Sequence, residues 1–195
     1  MDISKTLDEG TYLQQGGEIR SWEYFTRFLV AANTTVIKAF TAKLGDAGFT
    51  REDQTNLELG GQMPQSQRLD IKGIAFRYQS GAAKATVDAQ AILAWLSTTV
   101  AEFNITDKIV MLQKRIASFM GLTLPMIQNT GAVNIVLNTV QNHTKPVYML
   151  ERKIILASQT PYRMSIRPGV AALAQQATDV DFVDIGLIGD LWSKV

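Results

Sequence analysis

The 195-residue chain has no cysteine and one histidine, His143. Without cysteine there is no disulfide framework and no thiolate metal site, and the redox compartment cannot be read. With a single histidine there is no imidazole cluster to hold a metal or to serve a His-based catalytic constellation, which also weighs against a metal-binding cupin. His143 lies in Gln141-Asn142-His143-Thr144-Lys145-Pro146 and reads as an exposed loop residue. Charge of one sign is lacking as well: 19 Lys and Arg stand against 18 Asp and Glu, for a net charge of +1. A dedicated nucleic-acid binder normally carries a clear basic excess. Long hydrophobic runs are missing, since no stretch approaches the roughly 18 residues of a transmembrane helix. The N-terminus Met1-Asp2-Ile3-Ser4-Lys5-Thr6-Leu7-Asp8-Glu9 has no apolar segment of the kind a signal peptide needs. The chain is therefore expected to be soluble and made in the cytoplasm. Without a secretory signal, the glycosylation-like triplets at Asn33, Asn104 and Asn142 read as chance matches.

What is present is a core-forming composition. Hydrophobic residues make up 46% and charged residues only 19% of the chain, which excludes a disordered, highly solvated polymer. The length fits one large domain. Residues Met1 to Arg20 are polar, contain Gly16-Gly17, and read as an N-terminal arm; 21–195 form the domain.

Within the domain, period-two alternation dominates. In Pro161-Tyr162-Arg163-Met164-Ser165-Ile166-Arg167, Tyr162, Met164 and Ile166 alternate with Arg163, Ser165 and Arg167. Such alternation puts one set of side chains in a core and the other in water. The segment Asp179 to Trp192 reads as a closing strand, with its apolar face from Phe182 or Val183 through Leu187. Between Arg68 and Gln79 the phase switches at Gly73-Ile74: Leu69 and Ile71 belong to one phase, Ile74, Phe76 and Tyr78 to the other. One extra residue produces such a switch, so a β-bulge is expected there. Val147 to Leu156 is a long strand whose phase breaks around Glu151-Arg152-Lys153. Trp22 to Val30 is a strand or a short helix, and its period does not choose between them. Val36 to Phe40, Thr98 to Ile105, Ile109 to Leu112 and Val133 to Val140 are further strand candidates, while Gly45 to Asn56 and Gly121 to Gly131 read as loops. One helix is expected, Thr86 to Leu96, with Ile92, Trp95 and Leu96 on one face. Many short strands, one helix and regular turn signals specify an all-β sandwich.

No catalytic, cofactor-binding or metal-binding residue emerges, so no enzyme is expected. Asp179, Asp181, Asp184 and Asp190 cluster near the C-terminus. Asp179 and Asp181 share a strand face and could take Ca²⁺ with loop carbonyls, but EF-hand spacing is absent, and the polar face of the closing strand is the simpler account. Lys114-Arg115, Arg152-Lys153, Arg163 and Arg167 build no basic stripe and read as surface charge. Gly186-Leu187-Ile188-Gly189 lacks the lysine and the strand-to-helix setting of a phosphate loop, and no Gly-x-Ser-x-Gly elbow occurs. Trp22, Phe25, Phe28, Phe76, Tyr78, Trp95, Phe103 and Phe182 could form a sugar platform, but their spacing fits core faces better.

The order of segments carries a resemblance. Thr55-Asn56-Leu57 and Gly60-Gly61-Gln62-Met63-Pro64 lead into Leu69-Asp70-Ile71-Lys72-Gly73-Ile74. A short helix precedes strands around Phe103-Asn104-Ile105-Thr106-Asp107-Lys108. Thr160-Pro161-Tyr162 starts a strand, and Val180 to Leu191 closes the chain. This succession resembles the jelly-roll capsid proteins of tailless icosahedral bacteriophages over roughly Asn56 to Trp192. The resemblance implies a single jelly-roll β-sandwich with one short helix and an N-terminal arm. It implies a viral structural protein, a capsid subunit located in the virion that self-assembles as a homo-oligomer. Its partners would be its own copies and other virion proteins, with at most weak contact to a genome or an internal membrane, and with no cofactor and no small-molecule substrate. The rival reading is a carbohydrate- or receptor-binding β-sandwich, such as a spike or adhesin head.

Overall fold

In the computed structural model, which describes residues 17–29, 36–79, 84–85, 94–106, 109–120, 134–135, 147–169 and 182–194, ten strands and two short helical segments follow the alternation in the sequence. The strands are β1 (Gly17–Leu29), β2 (Ile37–Ala39), β3 (Gln67–Gln79), β4 (Lys84–Ala85), β5 (Val100–Ile105), β6 (Ile109–Arg115), β7 (Asn134–Ile135), β8 (Tyr148–Leu156), β9 (Tyr162–Arg167) and β10 (Phe182–Lys194). The helical segments are α1 (94–98) and α2 (Ile116–Met120).

Eight strands form two four-stranded sheets, ordered β1-β10-β3-β8 and β2-β9-β5-β6, and every pairing is antiparallel. The pairing is that of one long ribbon folded back and rolled up: β1 meets β10, β2 meets β9, β3 meets β8, and β5 meets β6. Rolling then sets β10 beside β3 and β9 beside β5. This is a single jelly roll. The small pair β4–β7 stands outside the two sheets.

The core lies where the inner faces meet. Tyr24, Phe28, Leu69, Ile71, Ile74, Phe76, Val183, Ile185 and Leu187 line the first sheet. Ala101, Phe103, Tyr162, Met164 and Ile166 line the second, and all are buried. In β1, Tyr24, Thr26 and Phe28 point in while Phe25 and Arg27 are half-exposed, so the aromatic run Trp22–Phe28 is a strand. Its 13-residue ladder with β10 decides what the local period leaves open. Gly17–Arg20, read from the sequence as arm, form the first residues of β1; residues 1–16 lie outside the described residues.

The bulge expected at Gly73 is present. β10 passes from pairing with Gly73 directly to Ile71, so Lys72 is the extra residue, and its side chain is exposed while Ile71 and Ile74 are buried on the same inner face. The same shift appears against β8, whose pairing jumps from Ile154 to Met149, which is the phase break seen at Glu151-Arg152-Lys153. Opposite the bulge, a Cβ on Gly189 would sit on the carbonyl oxygen of Asp70, so only glycine lets β10 stay in register there.

Two helical segments are described where one helix was expected. α1 carries Trp95 and Leu96 into the core and runs on to residue 98, where the Thr98 hydroxyl donates to the Ala94 carbonyl at 2.7 Å; residues 86–93 of the expected helix lie outside the described residues. α2 follows β6 directly. Phe119 stacks on Phe76 with ring centroids 4.7 Å apart and meets Tyr148 edge-on at 5.3 Å, so α2 plugs the sandwich between β6 and β8. The loop read over Gly121–Gly131 and the strand read over Val133–Val140 also fall outside the described residues, apart from β7.

Candidate assembly surface

The outer face of the first sheet is laced with ion pairs. Arg27 on β1 grips Asp184 on β10 through two bonds, at 2.7 and 3.1 Å, and reaches Asp53 at 3.1 Å. Donating to Asp184 raises the Arg27 pKa above its ordinary value against the opposing effect of burial, and the negative charges of Asp184 and Asp53 add to the rise. Glu23 on β1 spans β10 to pair with Arg77 on β3 at 2.6 and 3.1 Å. It can do so because Gly186 lies beneath it; a Cβ there would collide with the Glu23 carboxylate. Lys72 pairs with Asp190 at 2.5 Å. At the end of the sheet, Asp70 accepts two bonds from Arg68, at 2.7 and 2.9 Å, and one from Lys153 at 2.7 Å. Arg68 in turn lies 4.7 Å from the Trp192 ring centroid. Each of these carboxylates is thus paired with a cation. Asp184 and Asp190 belong to the polar face of the closing strand; Asp179 and Asp181 lie outside the described residues, as does His143. Among the described residues no cluster of His, Asp or Glu could hold a metal ion.

The two flanks of the sandwich differ. On the β1–β2 flank, the outer edge of β1 is closed from Glu23 to Arg27 by the loop before β3. The Asn56 side-chain amide behaves as a missing peptide unit: its Oδ1 accepts from the Phe25 N–H at 2.8 Å and its Nδ2 donates to the Glu23 carbonyl at 2.7 Å. The Thr55 hydroxyl donates to the Phe25 carbonyl at 3.0 Å, and the Arg27 N–H donates to the Gln54 carbonyl at 2.8 Å. Unpaired edges invite association, and here the invitation is withdrawn.

On the opposite flank β6 and β8 are the last strands of their respective sheets, linked by Lys114, whose ammonium donates to the Tyr148 hydroxyl and lies 4.2 Å from its ring centroid. Among the described residues no strand pairs with the outer edge of either. Ile109, Val110 and Met111 on β6, and Met149 and Ile155 on β8, are exposed, with Met149 at 63%. Only three other large hydrophobic side chains are exposed among the described residues: Val36, just before β2, and Leu44 and Leu59, after it. Met111 is an extra residue in β6, between Leu112 opposite Phe103 and Val110 opposite Asn104. Exposed apolar residues on open sheet edges mark an interaction surface.

A shallow depression of about 440 Å³ lies over β1, lined by Ser21, Trp22, Glu23, Phe25, Asn56 and Ile188. Two of its polar side chains are committed: Asn56 to the β1 backbone and Glu23 to Arg77. Of the aromatics that could form a platform, Phe28, Phe76, Tyr78, Trp95 and Phe103 are buried, whereas Trp22, Phe25 and Phe182 are half-buried. Trp192 is buried too.

The remaining residues singled out in the sequence are placed as follows. Arg167 pairs with Glu102 at 3.3 Å, and Arg115 and Arg152 are exposed on β6 and β8. Asn104 is buried with its Nδ2 on Glu102 at 3.0 Å, so the triplet it begins is closed to glycosylation in the folded chain. Gly186 and Gly189 lie within β10 and form no phosphate loop. The open flank is absent from the sequence reading, although the consecutive apolar residues Ile109-Val110-Met111 break strict alternation and signal a strand with no clean solvent face. Compared with known proteins, the chain matches no protein-family model and no curated protein sequence.

Proposed function

We propose that this protein is a capsid subunit, a single jelly roll that assembles with its own copies into the shell of a virus particle, as in the tailless bacteriophages its segment order resembles. The observation that carries the proposal is a jelly roll with one edge shielded by its own loop and the opposite edge open, apolar and exposed. A subunit of this kind has a rigid body, stapled on its outer face by ion pairs, and a surface left for neighbours. Near-neutral net charge, +1 for the chain, lets copies approach without strong mutual repulsion. In this reading the virion is the protein's location, its partners are other shell subunits, and its role is structural rather than catalytic.

Light scattering and electron microscopy of the purified full chain test this. Discrete capsomers or closed shells are expected as concentration rises. A protein that stays strictly monomeric at high concentration overturns the proposal.

One observation favours a second reading, a carbohydrate- or receptor-binding head: the depression over β1 places Trp22 and Phe25 beside polar groups. Its committed polar atoms leave few donors for a sugar. Loss of glycan binding in Trp22→Ala, with folding intact, would establish this second reading; the shell reading expects no glycan binding in the parent protein.

A further inference from the structure

The exposed apolar side chains fall into two clusters on opposite flanks, and the clusters differ in charge. On the β6–β8 flank, the exposed Ile109, Val110 and Met111 of β6 and Met149 of β8 go with Lys114, Arg115 and Arg152 against one acid, Glu151, while Lys153 is already paired with Asp70. On the other flank, Leu44 and Leu59 are exposed in the loop between β2 and β3. That loop carries Asp46, Glu52, Asp53 and Glu58 against two bases, Lys43 and Arg51; Asp53 is held by Arg51 and Arg27, which leaves Asp46, Glu52 and Glu58 against Lys43. Within the second sheet β2, which leads into that loop, and β6 are the two outermost strands, so the two sets of exposed residues belong to opposite ends of the strand order β2-β9-β5-β6.

Given the assembly reading, on which this rests, we infer that the occupant of the β6–β8 flank is the β2–β3 loop of a second copy, in a head-to-tail contact. A symmetric contact of two β6–β8 flanks would bring two basic surfaces together, Arg115 and Arg152 of each copy facing those of the other. A symmetric contact of two loops would oppose acid to acid. Only the heterologous arrangement joins apolar to apolar and basic to acidic at once. The loop, whose 54–56 segment already closes β1, cannot serve its own β6–β8 flank across the width of the sandwich. A heterologous contact repeats, and rings form where the rotation closes. Charge complementarity then sets register and speeds encounter, while the apolar residues supply affinity.

The test uses two variants of the full chain, each damaging one flank. Val110→Asp/Met149→Asp acts on the open edge, and Leu44→Asp/Leu59→Asp on the loop. All four side chains are exposed, so folding, checked by circular dichroism and thermal melting, is expected to match the parent. Sedimentation velocity should show the parent assembling and each variant alone monomeric, with association weakened about a hundredfold or more. Mixed in equal amounts, the variants should form a dimer and stop there, because each retains one intact flank. If either pair of aspartates perturbs folding, the charge reversals Arg152→Glu and Glu52→Arg replace them, with weaker association for each alone and recovery in the mixture. A loop variant that still self-associates as the parent does, or a mixture that remains monomeric, overturns the head-to-tail contact. If the parent assembles and both variants assemble equally well, the contact is wrong while the shell proposal stands. A parent that never assembles sinks both.

Discussion

Removing the charge of Asp70 tests how the outer face of the first sheet is held. Asp70 is only 1% exposed, and the side chain of its partner Arg68 only 4%. The pair makes two charge-assisted bonds at 2.7 and 2.9 Å. At an effective dielectric constant of about 20, opposite unit charges 4 Å apart attract by about 4 kcal/mol. Asp70→Asn keeps the shape but strands the Arg68 guanidinium, and breaking a buried pair from one side costs about 3–5 kcal/mol. The amide oxygen still accepts one bond and the Trp192 ring still faces Arg68, which places the expected loss near the lower end, about 3 kcal/mol. Lys153 also contacts Asp70, yet its side chain is 51% exposed. Lys153→Met should therefore cost no more than about 1 kcal/mol. Replacing Arg68 and Asp70 together by Met and Leu removes both charges and should recover most of the loss. The assay is equilibrium urea denaturation followed by tryptophan fluorescence, at a protein concentration where the chain is monomeric, with m unchanged across the series. Trp192, stacked on Arg68, reports on this region directly. If Asp70→Asn unfolds within about 1 kcal/mol of the parent, or no more easily than Lys153→Met, the claim that this ion pair is buried and mutually dependent is refuted.

Asn56→Ala uncaps β1, leaving the Phe25 N–H and the Glu23 carbonyl without their side-chain partner; we expect a loss of about 2 kcal/mol and a new tendency to aggregate through the β1 edge, measured by denaturation and by size-exclusion chromatography. Stability should also fall in alkali. Burial raises the pKa of both Tyr24 and Tyr162 well above the usual phenol range, with the nearby charge of Glu58 adding to the effect at Tyr24. A raised folded-state pKa leaves stability intact below the unfolded value near 10 and erodes it as pH climbs from there toward the folded value, by up to about 1.4 kcal/mol per pH unit for each tyrosine. Phenolate absorbance during an alkaline titration should show Tyr24 and Tyr162 ionising only as the chain unfolds, and Tyr24→Phe should remove one of these two late phenols.

Strands announce themselves locally when one face is buried, and several did. The alternation in Tyr162–Arg167, the phase switch at Gly73 and the break at Glu151-Arg152-Lys153 each record which side of the backbone meets the core. β1 was ambiguous because Trp22, Phe25 and Phe28 are compatible with either period; its ladder with β10, far along the chain, settles it. α2 left little trace, since five residues are too few for a helical period and its reason for folding is Phe119 stacking on Phe76.

The sequence by itself determined the class of the molecule: a core-rich, cysteine-free chain of balanced charge whose alternating segments can only be satisfied in sheets. It also placed the aspartates of β10 on a polar face. Only the tertiary structure decided which strands pair, and so which edges stay open. Asn56 is an ordinary loop asparagine until β1 lies beside it, and Val110 and Met149 come to open edges only because β6 and β8 are the last strands of their sheets. Period-two patterning records whether a side chain faces in or out, while edge and neighbour depend on contacts between residues far apart in the chain.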